Sequence, residues 1–263
     1  MVLLSFLVVT GCSRRDILDD YPVSGVEVRL DWSGVTEKLP EGVRIIFYPK
    51  DEKGRKIDTY LSVTGGEVKV PSGHYAVVIY NYDTETVLIR GEESYETIQA
   101  YTNFCKLGIA GTEKMVWGPD PLYVVNIDDL DIQNSEETLI LKLKPKLVIR
   151  TYSFSIKVQG LSNVSNVIGS IGGMADHYFL GKAYAMCDDY PINIDLNVKA
   201  GKIEGVFTTF GLPEAIITRL EIKLPVMMNL MIIKVDNSIQ EVKINITEAV
   251  QEPTGGGGGG GGG

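Results

Sequence analysis

Along most of this chain apolar and polar residues alternate with a period of two, the pattern of a strand with one covered face. From Val26 to Trp32, the residues Val26, Val28, Leu30 and Trp32 fall on one side, and Glu27, Arg29 and Asp31 on the other. The alternation returns in Leu139, Leu141 and Leu143 against Lys142 and Lys144. It is cleanest in Ile192, Ile194, Leu196 and Val198 against Asn193, Asp195, Asn197 and Lys199. Leu220, Ile222 and Leu224 repeat it, as do Val242, Ile244 and Ile246. Val43 to Tyr48 and His74 to Asn81 are more continuous apolar runs rich in β-branched and aromatic residues, and Ser153 to Val158 and Met228 to Lys234 read as further strands. No apolar repeat of 3.6 residues is sustained anywhere.

Turn chemistry separates these runs. Lys50 to Lys56, with Gly54 inside it, reads as a hairpin connection, and Gly65, Gly66 and the Pro71-Ser72-Gly73 turn punctuate the chain again. Glu92 to Lys106 admits either a short helix or a long loop. Val116 to Tyr123 holds two prolines and a glycine and must be a loop. The polar stretch around Gly169, Gly172 and Gly173 reads as a loop too. Strand count and spacing predict an all-β fold of two tandem antiparallel β-sandwiches, residues 24–144 and 146–252, with a boundary near Pro145. Residues 253–263 end in nine glycines and read as a flexible tail.

The first dozen residues break the pattern. Leu3 to Gly11 is an uncharged, mostly apolar run of signal-peptide length, far short of the roughly 20 residues that span a bilayer. Val9, Thr10 and Gly11 lead directly into Cys12 in the manner of a bacterial lipoprotein cleavage motif, so that residues 1–11 are the signal peptide and Cys12 is the lipid-attachment site and new N-terminus. Met1 is followed at once by apolar residues, with no basic segment, which departs from the usual signal. The other reading of the run is a buried first strand, for which Gly11, Cys12 and the following Ser-Arg-Arg-Asp are a poor continuation. Residues 12–23 then form a polar tether, and several acyl chains hold firmly where one would not. Ser13 after the cysteine is compatible with sorting to the outer membrane, on its periplasmic or cell-surface side.

The net charge of −9 and the lack of a basic stripe argue against a nucleic-acid partner. Cys105 and Cys187 either pair, as an exported protein allows, or stay as buried thiols. Chemistry is sparse. His74 and His177 have no second ligand at zinc spacing. Ser170 fails the nucleophile-elbow pattern because Ile168 stands where glycine is needed. Asp128, Asp129 and Asp131 with Glu136 and Glu137 resemble a calcium loop without its central glycine. Asp188 and Asp189 are neighbours that a strand would point to opposite faces. No catalytic, cofactor-binding or metal-binding residue is nominated, and the expectation is a protein that is not an enzyme. Trp117 and Tyr123 flank the two prolines and are the candidate contacts for a protein or sugar partner. Tyr80 and Tyr82, which bracket Asn81, read as structural.

EGVRIIFYP (Glu41 to Pro49), VPSGHYAVVIYNYDTETVLIRG (Val70 to Gly91), PDPLYV (Pro119 to Val124), GMADHYFLG (Gly173 to Gly181) and FTTFG (Phe207 to Gly211) together resemble the fimbrillin-related lipoproteins of Bacteroidota, in a branch related to the fimbrial anchor and accessory subunits. The most specific piece is NYDTE, Asn81 to Glu85. The resemblance implies two transthyretin-like domains, a palmitate-bearing lipid anchor in the outer membrane, and work in a fimbrium or pilus that supports cell adhesion. Fimbrial subunits or other surface proteins would be its partners, by strand donation at a sheet edge. The alternative is a surface glycan-binding module of a carbohydrate-uptake system, with Trp117 and Tyr123 at its site.

Overall fold

A computed structural model describes residues 23–51, 54–105, 114–199, 201–214 and 225–251. Five strands open it: β1 (Val23–Leu30), β2 (Gly42–Pro49), β3 (Ile57–Ser62), β4 (Gly65–Pro71) and β5 (Gly73–Asn81). Shorter pieces follow as β6 (Val87–Arg90), β7 (Gln99–Thr102), β8 (Phe104–Cys105) and β9 (Met115–Val116). Next come β10 (Tyr123–Ile132), β11 (Leu139–Leu143) and β12 (Lys146–Leu147). The remaining strands are β13 (Arg150–Lys157), β14 (Val164–Gly172), β15 (His177–Phe179), β16 (Tyr184–Met186), β17 (Ile192–Lys199), β18 (Lys202–Thr209), β19 (Met227–Lys234) and β20 (Ile239–Asn245). The five-residue helix α1 (Thr247–Gln251) packs Val250 into the core. The fold is all-β.

Three sheets result. The first orders its strands β11-β1-β4-β3-β2-β5-β10-β12, and the second β13-β18-β17-β14-β19-β20, with β9 beside β17 and β8 beside β9. The third, β16-β15-β7-β6, joins two short strands from before β10 to two from after β14. Pairing is antiparallel except for β1 with β11 and β9 with β17.

Each strand's residue pattern follows from how many of its faces are covered. On β2, Val43, Ile45 and Phe47 join Val77 and Ile79 of β5 in one core, while Ile46 and Tyr48 join Val78 and Tyr80 in another. Both strands are therefore buried on two sides, which is why they are continuous apolar runs. β11 keeps its leucines half-buried and Ile140 and Lys142 exposed, the alternation of a strand with one wet face.

Most of the glycine-rich stretch is a strand, and only Gly173, at φ 80°, lies in the bend that follows it. Val164 to Gly172 forms β14, paired with β19 over most of its length and with β17 through Gly169, Ser170 and Ile171. A Cβ on Gly169 would lie 3.0 Å from a Leu196 methyl and 3.1 Å from an Ile194 methyl, so the glycine marks close packing inside a strand. Glu92 to Cys105 contains no helix but a turn followed by β7 and β8. Lys106, the alternation at Leu220 to Leu224 and the tail 253–263 lie outside the described residues.

Candidate functional site

Cys12 and the motif Val9, Thr10 and Gly11 lie outside the described residues. Trp117 stands in the loop between β9 and β10 with its side chain outward, 42% exposed. Its backbone is fixed: the amide donates to the Asn103 carbonyl (3.0 Å) and the carbonyl accepts from the Thr102 hydroxyl (2.6 Å). Tyr123, expected beside it as a contact residue, is instead a core residue at 5% exposure. It is the first residue of β10 and faces the packed side of the sheet, its ring edge-on to Trp32 at 5.3 Å. Its amide donates to Asn81 Oδ1 (2.8 Å), and burial raises its phenol pKa above the ordinary value. Tyr123 offers no surface to a partner.

The titratable groups are engaged in holding the chain. Asp176 and His177 are buried with Nδ1 2.6 Å from Oδ1, and His177 belongs to β15 rather than to a loop. The other Asp176 oxygen accepts from the amides of Asp188 (2.9 Å) and Tyr190 (3.4 Å), which ties down the turn leading into β17. Ligand atoms of Asp176, His177 and Asp188 come within 4.8 Å of one another, and among the described residues these three are the group that could hold a metal ion. Every atom of Asp176 and the Nδ1 of His177 already has a protein partner, and Asp188 faces Arg90 at 3.9 Å.

Cys105 and Cys187 are both free thiols. Burial pushes the Cys187 thiol up to about 11; the Asp189 amide on its sulfur pulls the other way, and the carboxylates of Asp176, Asp188 and Asp189 push with burial. A thiol so placed is a poor nucleophile at neutral pH.

The Asp128 to Asp131 carboxylates lie on β10, where the pairing with β5 shifts register between Ile127 and Leu130. Tyr95 donates to Asp128 (2.8 Å), and Lys50 (3.1 Å) and His74 (3.3 Å) meet Asp129 and hold its carboxyl below the usual range. Each carboxylate has its own partner, and they do not converge on a cation. Ser170 sits buried in mid-strand, away from any elbow.

What the fold does present is open strand edges. β13 and β20 end the second sheet, and neither has a further neighbour among the described residues. Tyr152, Phe154 and Ile156 of β13, and Val242, Ile244 and Ile246 at the other end, pack against the same apolar core yet stay only half-buried. Alternation in the sequence reports which residues face inward, but it carries no information on which strand ends a sheet.

These features define an all-β protein with open sheet edges. Residues 11–195 match the family described as "Domain of unknown function (DUF5119)", and the chain belongs to that family. It is 52% identical over 261 residues, 95% of this chain and 78% of the relative, to a Bacteroides ovatus protein named "Putative fimbrium anchoring subunit Fim4B". A crystal structure of a Bacteroides ovatus protein described as "a putative adhesin" matches with a TM-score of 0.82 and 51% identity, covering 94% of this chain and 93% of that one. The fimbrial anchor protein Mfa2 of Porphyromonas gingivalis shares the fold at a TM-score of 0.53 and 14% identity, covering 88% of this chain and 85% of its own.

Proposed function

We propose that this chain is a non-enzymatic outer-membrane lipoprotein, attached through Cys12, that anchors, caps or accessorises fimbriae through strand-mediated contacts with other subunits and so supports adhesion. The 52% identity to a protein named as a fimbrium anchoring subunit, spread over 95% of this chain, carries this reading. The edges of β13 and β20 support the mode of contact. An unpaired edge presents a row of backbone N–H and C=O groups to an incoming strand, and half-buried residues beside it receive alternate side chains. In this reading residues 12–23 are the tether and residues 24–144 and 146–252 the two sandwich units.

Two measurements test the two halves of the proposal. Cys12→Ser is expected to shift the protein from the membrane fraction of its host to the soluble fraction; a variant that stays with the membrane overturns the lipid anchor. Affinity purification of the tagged chain from piliated cells is expected to recover fimbrial subunits, and a clean chain without them overturns the fimbrial role.

A further inference from the structure

We propose that the recess between the outer face of β3 and the edge strand β6 is a saccharide site, taking one ring of a neutral pyranose against Tyr60 and Tyr82, independently of the fimbrial reading. The recess has a volume of about 340 Å³, within the range of small-ligand sites.

Its floor is Arg44, which projects from β2. Nε and Nη2 donate to Asp58 (2.9 and 2.7 Å), and Nη1 donates to the Tyr80 hydroxyl (2.8 Å) and to Glu92. Nη2 also reaches the second Glu92 oxygen at 3.4 Å, so each of the five guanidinium N–H groups has an acceptor. Asp58 first and Glu92 next raise the Arg44 pKa, against the opposing pull of desolvation, and keep it charged. Lys56 donates to the Glu92 carbonyl (3.1 Å). Arg44 thus stands pinned between two carboxylates, with Lys56 holding the Glu92 backbone from behind.

The rim is a pair of tyrosines, Tyr60 at 61% and Tyr82 at 45% exposure, edge to face with ring centres 5.2 Å apart. Among the described residues neither phenol hydroxyl has a hydrogen-bond partner. Tyr82 is held out by a turn in which the side chains of Asn81, Asp83 and Thr84 and the neighbouring Asp120 are all engaged. Asn81 donates to Asp83 (3.1 Å) and to the Pro121 carbonyl (3.2 Å), and Asp83 accepts from the Glu41 amide (2.9 Å). The Thr84 hydroxyl donates to the Val87 carbonyl (3.0 Å), and Asp120 accepts from the amides of Glu85 and Thr86, both at 2.6 Å. Gly42 on β2 leaves space for the ring: a Cβ there would lie 2.8 Å from the Tyr82 hydroxyl oxygen and 3.0 Å from a ring carbon. The segment Asn81 to Glu85 is therefore a rigid support that displays one aromatic side chain.

This chemistry selects among ligands. An anion finds no free guanidinium N–H and meets two carboxylates. A cation finds both carboxylates already engaged by the Arg44 guanidinium. A neutral sugar fits both parts: its hydroxyls donate to the remaining lone pairs of Glu92, which lines the recess, and bond the free phenols, while its C–H face packs on an aromatic ring. Leu88, Ile89 and Leu122 supply the apolar wall behind it.

The test is saturation-transfer NMR with calorimetry on the full-length chain in a zwitterionic, sugar-free detergent. The probes are methyl β-D-glucopyranoside, methyl β-D-galactopyranoside, methyl α-D-mannopyranoside and N-acetylglucosamine, with N-acetyl-arginine amide as the cationic control. At least one sugar is expected to bind with a dissociation constant of about 1 mM. Tyr60→Ala and Tyr82→Ala should each weaken it by up to about tenfold without changing the melting temperature; Tyr60→Phe, which keeps the ring and loses the phenol, should weaken it less than Tyr60→Ala, and Trp117→Ala should retain it. The proposal is overturned if none of the four sugars binds, if binding survives the double Tyr60→Ala/Tyr82→Ala variant, or if only the arginine amide binds.

Discussion

Cys187 illustrates how burial controls a single side chain. Its thiol is pushed up from an ordinary 9.0 to about 11, burial being the largest cause. Between those values the folded protein keeps a proton that the unfolded chain has released, so stability falls as pH rises from about 9 to about 11. Urea midpoints are expected to drop less over that window in Cys187→Ala than in the parent. Iodoacetamide should label Cys187 slowly at pH 8 in the native protein and quickly once it is unfolded; equal rates in the two states refute the raised thiol pKa. The aromatic residues show what could be read beforehand at such positions. Trp117 was legible as an outward residue because two prolines and a glycine exclude a strand there. Tyr123 was not, because it stands at the same loop but one residue inside β10, where the pairing partner decides which face it takes. Tyr60 gives no local sign of its exposure, since the face it takes is set by the pairing of β3 with β2.

Strands differ in how much of their packing the residue pattern reveals. Ile45 and Ile46 are neighbours on β2, both fully buried in two different cores. Each truncation to alanine is expected to cost about 2–5 kcal/mol by urea denaturation. On β11 the adjacent pair behaves differently: Leu141→Ala should be clearly destabilising, while Ile140→Ala, at an exposed position, should stay within about 0.5 kcal/mol. Equal costs on β11, or a cost below about 1 kcal/mol for either residue on β2, contradict the assigned faces. β11 and β17 were readable from alternation because each has a wet face for most of its length. β14 was not, since its glycines carry the loop signal while serving as packing gaps. Gly205 on β18 is another such gap, with a Cβ position 2.3 Å from the Phe154 ring. Gly205→Ala is expected to destabilise the second sheet by about 1–3 kcal/mol, because the ring must move off the strand it covers.

The third sheet ties distant parts of the chain into one body. β7 pairs with β15, and the core beneath it combines Ile46, Val78 and Ile98 with Ala175, Leu180 and Phe210. Strands of three or four residues carry no periodic signal, and their partners lie on either side of β10 to β14, so neither the sheet nor its shared core could be foreseen from alternation. The consequence concerns cooperativity. A fragment of residues 24–144 keeps both faces of β2 and β5 but loses every contribution from Ala175, Leu180, Ala185 and Phe210 to the second face. Exposed apolar area of that kind is a binding and aggregation surface. The fragment is expected to bind the dye ANS and to self-associate on size exclusion, whereas the intact chain unfolds in one transition that Leu180→Ala moves as a whole. Leu180 donates its amide to the Ile98 carbonyl (3.0 Å) and is fully buried, so its truncation removes packing from both sides of the joint at once. A monomeric 24–144 fragment that unfolds cooperatively without binding the dye would show that the first sheet is complete by itself, and that the third sheet is an addition to it and not part of its core.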